Sequence, residues 1–369
     1  MYIMPNKISN NKHIGFLAPT VYRYIQGQGY GGAELQVIQL SRILTQNGYK
    51  VTILTNDFGQ PDEELFENIH IVKAPLRFLG GSNLYFLPDT LRFIKQVKKL
   101  QLDWCFLLTP CTALFQLGLA KLFCRNMKIC KYIASDLDCH RSGNLPYYLY
   151  KLGLKMSDCV LFQTATQKAM AEKNLHITGG FLPNTFIPPQ ETADDVTKDI
   201  DVLWVGQFDS WKCPDRLLEI AEKLPQYKFA VISKPISESY RALEEKIRSL
   251  DNVDFIGTVP FEKTQSYFKC AKLYLSTSAV EGFPNTFLQA WYAKSPVVSV
   301  SFPCDGILQK ENCGRLSGSL DNAVKDIVEL VENSHLRQQL GLNGYHYLQK
   351  HHNPADTIKI LESVIKTGK

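Results

Sequence analysis

The sequence is short of the signals that settle a protein's class at a glance. Its ten cysteines include no Cys-x-x-Cys pair and no paired zinc spacing. The first residues, MYIMPNKISNNKH, lack the apolar core of a secretory leader. Charge of one sign is scarce: 41 Lys+Arg against 36 Asp+Glu leave a net +5, less than a nucleic-acid-binding protein usually carries. These absences lead us to expect free thiols in a reducing cytoplasm and no nucleic-acid partner. With 369 residues the chain can bury its cores without disulfide staples, and its length suggests two domains.

Long hydrophobic runs are also few. Residues 104–124, WCFLLTPCTALFQLGLAKLFC, have the length of a membrane span and one charge, Lys121. Pro110 divides the stretch, however, into a strand-like WCFLLT and a helix-like ALFQLGLAKLF. A buried strand followed by a helix accounts for both halves.

What the sequence does contain is alternation. Strand patterns at 13–19, 50–56, 104–109 and 128–136 are interleaved with helical patterns at 32–48, near 89–100 and at 113–124. After the Pro/Thr/Asp-rich stretch 181–199 a second series begins. Its strands are expected at 201–208, 227–233, 253–257, 272–278 and 296–302, and its helices at 214–224, 237–250, around 267–271 and at 284–293. Repeated β-α-β units argue an α/β fold of two Rossmann-like parallel-sheet domains facing across a cleft, with ligands at the carboxyl ends of the strands. We expect domains over 1–187 and 198–350.

Four motifs could carry chemistry. Gly27, Gly29 and Gly32 spell G-x-G-x-x-G, but nine residues, Ala18 to Gln26, separate the first glycine from Leu17, a poor context for a dinucleotide. Gly31 and Gly32 still open a helix whose first amides attract an anion, unless they serve only as a permissive helix start. Asp136 and Asp138 follow a strand, with His140 close behind. They could hold a divalent metal on a diphosphate, cap the strand end, or line a cleft without metal. Lys212 sits between a strand's end and a Pro-led helix, the placement of a diphosphate-binding cation, although a lone surface lysine is the ordinary alternative. The richest motif is STSAVEGFPNTFLQAWYAKSPVV, residues 276–298. Glu281 can accept from two sugar hydroxyls at once. The amides of Gly282, Phe283 and Asn285, with Thr286 next in line, can receive phosphate oxygens. Gln289 lies about two helical turns below Glu281 on the same face.

These residues carry a resemblance. From Gly31-Gly32-Ala33-Glu34 to the terminal segment 351–369, the chain resembles retaining glycosyltransferases of family 4, with the GT-B fold, of the bacterial cell-surface polysaccharide type. The resemblance implies transfer of a sugar from a nucleotide-diphosphate sugar to a glycan or lipid-linked glycan hydroxyl, with no cofactor and no metal. It places Glu281 and Lys212 at the reacting sugar and leaving diphosphate, and His140 beside the donor sugar. It puts Val259 and Phe261 on the base side, and Asp136 and Asp138 on the acceptor side. It also implies that the segment 351–369 is a helix packing back onto the first domain. Two positions depart from the family pattern: Gln289 replaces its second acid and Gln207 its arginine. Three other classes stay open: a metal-dependent transferase using Asp136 and Asp138, a dehydrogenase using Gly27–Gly32, and a non-catalytic sugar-nucleotide-binding protein.

Divided at the linker, the charge is less even. Residues 1–187 hold 20 Lys+Arg and 12 Asp+Glu, a net of +8, and residues 188–369 hold 21 and 24, a net of −3. Ten of the basic residues lie between Lys73 and Lys131, opposed by Asp89 and Asp103. Solvated helix faces would explain part of this excess. The sharper expectation is a cytoplasmic protein that meets an anionic membrane or a lipid-diphosphate acceptor through the Lys73–Lys131 region.

Overall fold

A computed structural model describes residues 12–27, 31–75, 86–109, 112–140, 143–189, 197–233 and 237–368. The chain divides into two compact units, Met1–Thr185 with Pro354–Lys369, and Phe186–Asn353. Gly29, Arg77, Pro110, Cys111 and the centre of the linker, 190–196, lie outside the described residues.

The first unit is built on β1 (His13–Leu17), β2 (Lys50–Thr55), β3 (Glu63–Phe66), β4 (Ile69–Lys73), β5 (Trp104–Leu107), β6 (Lys128–Ile133), β7 (Cys159–Phe162) and β8 (Gly180–Phe181). They lie in the order β3-β4-β2-β1-β5-β6-β7-β8, parallel except for the β3–β4 hairpin. The central strands read as unbroken apolar runs because both their faces are covered: β1 and β5 are buried along their whole length. The hairpin turn is Glu67-Asn68, both with positive φ, as a two-residue turn that matches the strand twist requires. No glycine marks it, which is why the sequence pattern does not reveal it.

The helices of this unit are α1 (Tyr22–Ile25), α2 (Gly32–Gln46), α3 (Phe86–Leu100), α4 (Ala113–Phe123), α5 (Leu145–Met156) and α6 (Ala165–Leu175). The span-like stretch is thus β5 followed by α4. No helix of the described residues is long and apolar enough to cross a membrane. The nine described cysteines are free thiols.

In the second unit β9 (Ile200–Val205), β10 (Phe229–Ile232), β11 (Val253–Gly257), β12 (Ala271–Ser276), β13 (Val297–Ser299) and β14 (Gly314–Leu316) form a parallel sheet in the order β11-β10-β9-β12-β13-β14. Its helices are α7 (Pro214–Lys223), α8 (Arg241–Arg248), α9 (Phe261–Cys270), α10 (Asn285–Tyr292), α11 (Ile307–Lys310), α12 (Leu320–Glu332) and α13 (Ser334–His351). Trp204, Leu217, Phe229, Leu273 and Val298 anchor the core of this unit. The last helix, α14 (Pro354–Thr367), belongs to the first unit, where the Ile365 carbonyl accepts from Lys12 Nζ at 3.0 Å and Trp104 Nε1 at 3.3 Å. Pro354 sets its start, three residues later than the 351 of the sequence reading, because proline suits the first turn of a helix and its lost amide would break α13.

The Lys73–Lys131 region is not one basic face. Lys131 is fully buried, its ammonium 3.0 Å from Asp138 Oδ2 and 2.7 Å from the Leu108 carbonyl. Lys73 is tied to Asp57 and Asp62. A lysine whose head is desolvated by its own fold offers nothing to a membrane, so part of the charge excess is structural.

Candidate donor-binding site

The carboxyl ends of β9 and β12 lie side by side, because these strands are paired through Val202↔Leu273 and Leu203↔Tyr274. The loop after β9 is held tightly. Gly206 packs against the Trp204 ring, where a Cβ would come within 3.0 Å, and Phe208 is buried edge-on to Trp204. Asp209 Oδ1 accepts from the amides of Trp211 at 3.0 Å and Lys212 at 2.8 Å. Cys213 then adopts a left-handed conformation, φ 48° and ψ 60°, and Pro214 begins α7. Such backbone strain in a non-glycine residue persists only where the surroundings fix it, and it collects at functional sites.

The loop after β12 is stitched to the first. Thr277 Oγ1 donates to the Lys212 carbonyl at 2.5 Å and accepts from Trp204 Nε1 at 2.9 Å. The Ala279 amide donates to the Trp211 carbonyl at 2.8 Å. Arg216 of α7 braces this loop from behind, donating to the Thr277 carbonyl at 3.2 Å and to Ser301 Oγ at 2.8 Å.

Within this frame Lys212 Nζ forms an ion pair with Glu281 Oε1. Ser278 Oγ donates to the same carboxylate oxygen at 2.7 Å. Burial alone would push the Lys212 ammonium down, but Glu281, Tyr274 and Asp209 together raise it above the ordinary lysine value. The lysine therefore stays cationic at neutral pH. Burial pushes the Tyr274 hydroxyl up to about 12, against the pull of Lys212 and of a hydrogen bond from Thr286. Tyr274 Oη in turn donates to the Val205 carbonyl at 3.2 Å.

The helix α10 starts at Asn285 with no side-chain cap, and a helix N-terminus favours anions. Gly282 is buried, and the Phe283 ring packs on His352 with centroids 4.6 Å apart. Gln289 is 3% exposed, and its Nε2 has no hydrogen-bond partner among the described residues. Gln207 and Val259 are half-buried just beyond the ends of β9 and β11, strands separated by β10. Phe261 is buried in α9, so its side chain belongs to the core and is not available to stack on a base.

The remaining candidates lie in the first unit. Gly31 and Gly32 open α2, where a Cβ on Gly31 would come within 2.6 Å of Glu34 Oε2. The helix thus keeps a carboxylate of its own beside its N-terminus, held by Thr20. Asp136 opens a short 3-10 turn, Asp136–Cys139, and His140 follows it, exposed. Asp138 points inward. Burial raises its carboxyl while Lys131 opposes the shift, and its ion pair removes it from the acceptor-side candidates. Among the described residues no group of three or more His, Cys, Asp and Glu is placed to hold a metal ion.

Sequence reading missed Asp209, Tyr274, Ser278 and Arg216. Ser278 sits inside the quoted motif and could have been found from it. Asp209 acts within its own loop, two and three residues from the amides it accepts from, whereas Tyr274 and Arg216 act through sheet neighbours that only the strand order reveals.

Two Rossmann-like units, with a cation–carboxylate pair beside an uncapped helix on the second, define a GT-B glycosyltransferase architecture. Residues 190–347 match the family Glycosyl transferases group 1 and residues 30–177 match Glycosyltransferase Family 4, so the chain carries both glycosyltransferase domains. It is 26% identical to an uncharacterized glycosyltransferase of Haemophilus influenzae over 331 residues, 84% of this chain and 89% of that one. It is 24% identical to the amylovoran biosynthesis glycosyltransferase AmsD of Erwinia amylovora, over 74% of this chain and 78% of AmsD. The crystal structure of Anabaena HepE in complex with UDP and glucose superposes with a TM-score of 0.72 at 15% identity, over 96% of this chain and 99% of that one.

Proposed function

We propose that the chain transfers a sugar from a nucleotide-diphosphate sugar to a hydroxyl of a glycan or lipid-linked glycan, with retention of anomeric configuration, in the synthesis of a surface polysaccharide. The Lys212–Glu281 pair carries this reading. Glu281 accepts hydrogen bonds from the donor sugar's hydroxyls and orients the ring. Lys212 and the first-turn amides of α10 stabilise the charge that develops on the departing diphosphate, in positions fixed before the donor arrives. Gln289 supplies a buried amide donor to the ribose.

Among the described residues no side chain of the site is placed as an obvious general base; in this reading the leaving phosphate takes the acceptor proton. Uridine diphosphate is the first nucleotide to try, since HepE was crystallised with UDP. The polysaccharide role follows the name of AmsD. Thermal-shift screening against a panel of nucleotide sugars tests the reading. A stabilisation specific to one base and sugar is expected, because a ligand bound to the folded state raises its apparent stability. No stabilisation by any nucleotide sugar, at concentrations well above the micromolar range, would refute it.

A further inference from the structure

The helix α4 is apolar on both sides. Ala113, Leu114, Leu117 and Ala120 face the core. On the other side Phe115 and Leu119 are half-buried, and Leu122 and Phe123 are 65% and 59% exposed. The spacing 115, 119, 122, 123 is one helical face, and a helix in the outer layer of a soluble domain ordinarily carries polar residues there. At eleven residues it is about 16 Å long, roughly half of what a bilayer's apolar interior requires.

Its neighbours share the anomaly. The connections β4 to β5, β5 to β6 and β6 to β7 all step the same way across the sheet, so right-handed crossovers put α3, α4 and α5 in one layer. All three feed one core cluster, through Phe93 and Val97, Leu114 and Leu117, and Tyr150 and Leu154. Gly153 lets α5 approach so closely that a Cβ there would lie 2.7 Å from the Phe115 amide. On the outer side Leu87 and Leu91 of α3 and Leu145, Tyr148 and Leu152 of α5 are exposed. The layer is also basic. These helices contain Arg92, Lys95, Lys98, Lys99, Lys121, Lys151 and Lys155 against Asp89, which is buried. Lys99 and Lys121 are engaged by Glu63 and Asp158. Lys95, Lys98, Lys151 and Lys155 have no ion-pair partner among the described residues.

We propose that the outer face of α3, α4 and α5 docks on an anionic lipid bilayer, its leucines entering the interface and its lysines meeting the headgroups. Exposed apolar side chains flanked by long cationic ones, whose stems lie along the apolar surface and whose heads reach outward, suit the boundary between acyl chains and anionic headgroups. A second copy of the chain fits less well, because a two-fold contact would set this face against itself and bring like charges together. The surface differs from the Lys73–Lys131 region of the sequence reading: it omits Lys73 and Lys131, adds α5, and depends on apolar contact as well as charge. It is also independent of the sugar-transfer reading, since nothing in it requires a donor.

The test is co-sedimentation of the full chain with phosphatidylcholine vesicles and with equimolar phosphatidylcholine–phosphatidylglycerol vesicles. Binding to the anionic vesicles, weakened by salt, is expected, with little to the neutral ones. A Leu91→Ser/Leu122→Ser/Leu152→Ser variant is expected to bind about tenfold more weakly or worse, with unchanged circular dichroism, since these side chains are already exposed. A separate Lys95→Gln/Lys98→Gln/Lys155→Gln variant is expected to lose the preference for anionic lipid. Failure of the native chain to bind anionic vesicles would overturn the proposal. So would serine variants that bind as well as the native chain, or a dimer in solution that those variants abolish while vesicle binding persists.

Discussion

Lys212 and Glu281, 69 positions apart in the chain, form an ion pair because the strands that precede them are neighbours in one sheet. The pair is braced on both sides. Asp209 fixes the lysine's backbone, and Ser278 holds the carboxylate oxygen that the lysine contacts. The lysine's position and charge are therefore fixed by the fold itself.

Gln289 is buried with an unpartnered amide nitrogen. Gln289→Glu would put a carboxylate at the same depth. Without ligand the variant is expected to unfold at a lower temperature, by roughly 1–3 kcal/mol of stability, because a buried charge lacks partners. With a nucleotide sugar bound, ribose hydroxyls would satisfy that carboxylate, so the ligand-induced shift should be larger than in the native chain. Differential scanning fluorimetry with and without the donor reads both effects.

The ion pair of Lys131 and Asp138 is fully buried, at 0% exposure for both side chains. Lys131→Met leaves a desolvated carboxylate alone and is expected to cost about 3–5 kcal/mol. Lys131→Met/Asp138→Leu should recover part of that loss. Urea denaturation of the native chain, both single variants and the double variant supplies the full cycle.

His13 lies in β1 with its Nε2 2.8 Å from Thr52 Oγ1. Burial, with Lys50 adding to it, lowers the imidazole from 6.5 to about 4. The unfolded chain then binds the proton more readily than the folded one across that interval, so the contribution of this group to stability is lost as pH falls from 6.5 to about 4. Thermal unfolding followed across this range should decline more steeply for the native chain than for His13→Gln.

Gly153 is where the α4 and α5 backbones meet. Gly153→Val has no room for its side chain and is expected to cost about 1–3 kcal/mol or more by overpacking. Gly143, where a Cβ would have nothing within 4 Å, is the control: Gly143→Ala should leave the melting temperature nearly unchanged.

Much of the fold was legible because parallel strands buried on both faces read as plain apolar runs, as at 104–107 and 201–205, and because Pro214 sits at a helix start. The β3–β4 hairpin was hidden by a turn of Glu67 and Asn68 with no glycine. The strand β14 and the helices α12 and α13 went unread although Ser319 and Asn333 cap the two helices. Lys212 and Glu281 were legible as candidates from motif position, since each follows a strand. Asp138 was misread because its spacing cannot say which way a side chain turns, and the partner that turns it inward, Lys131, lies on the strand itself. Tyr274 acquires its role only through the order of strands, which sets its hydroxyl against the Val205 carbonyl.

The most direct measurement is the release of nucleoside diphosphate from the preferred nucleotide sugar by purified native chain, Lys212→Ala and Glu281→Ala under the same conditions. Removing a preorganised charge from such a site typically costs roughly a hundredfold or more in turnover, and a loss of that size is expected in each variant while both remain folded by circular dichroism. Turnover close to native in both variants would contradict the assignment of the donor site to this ion pair.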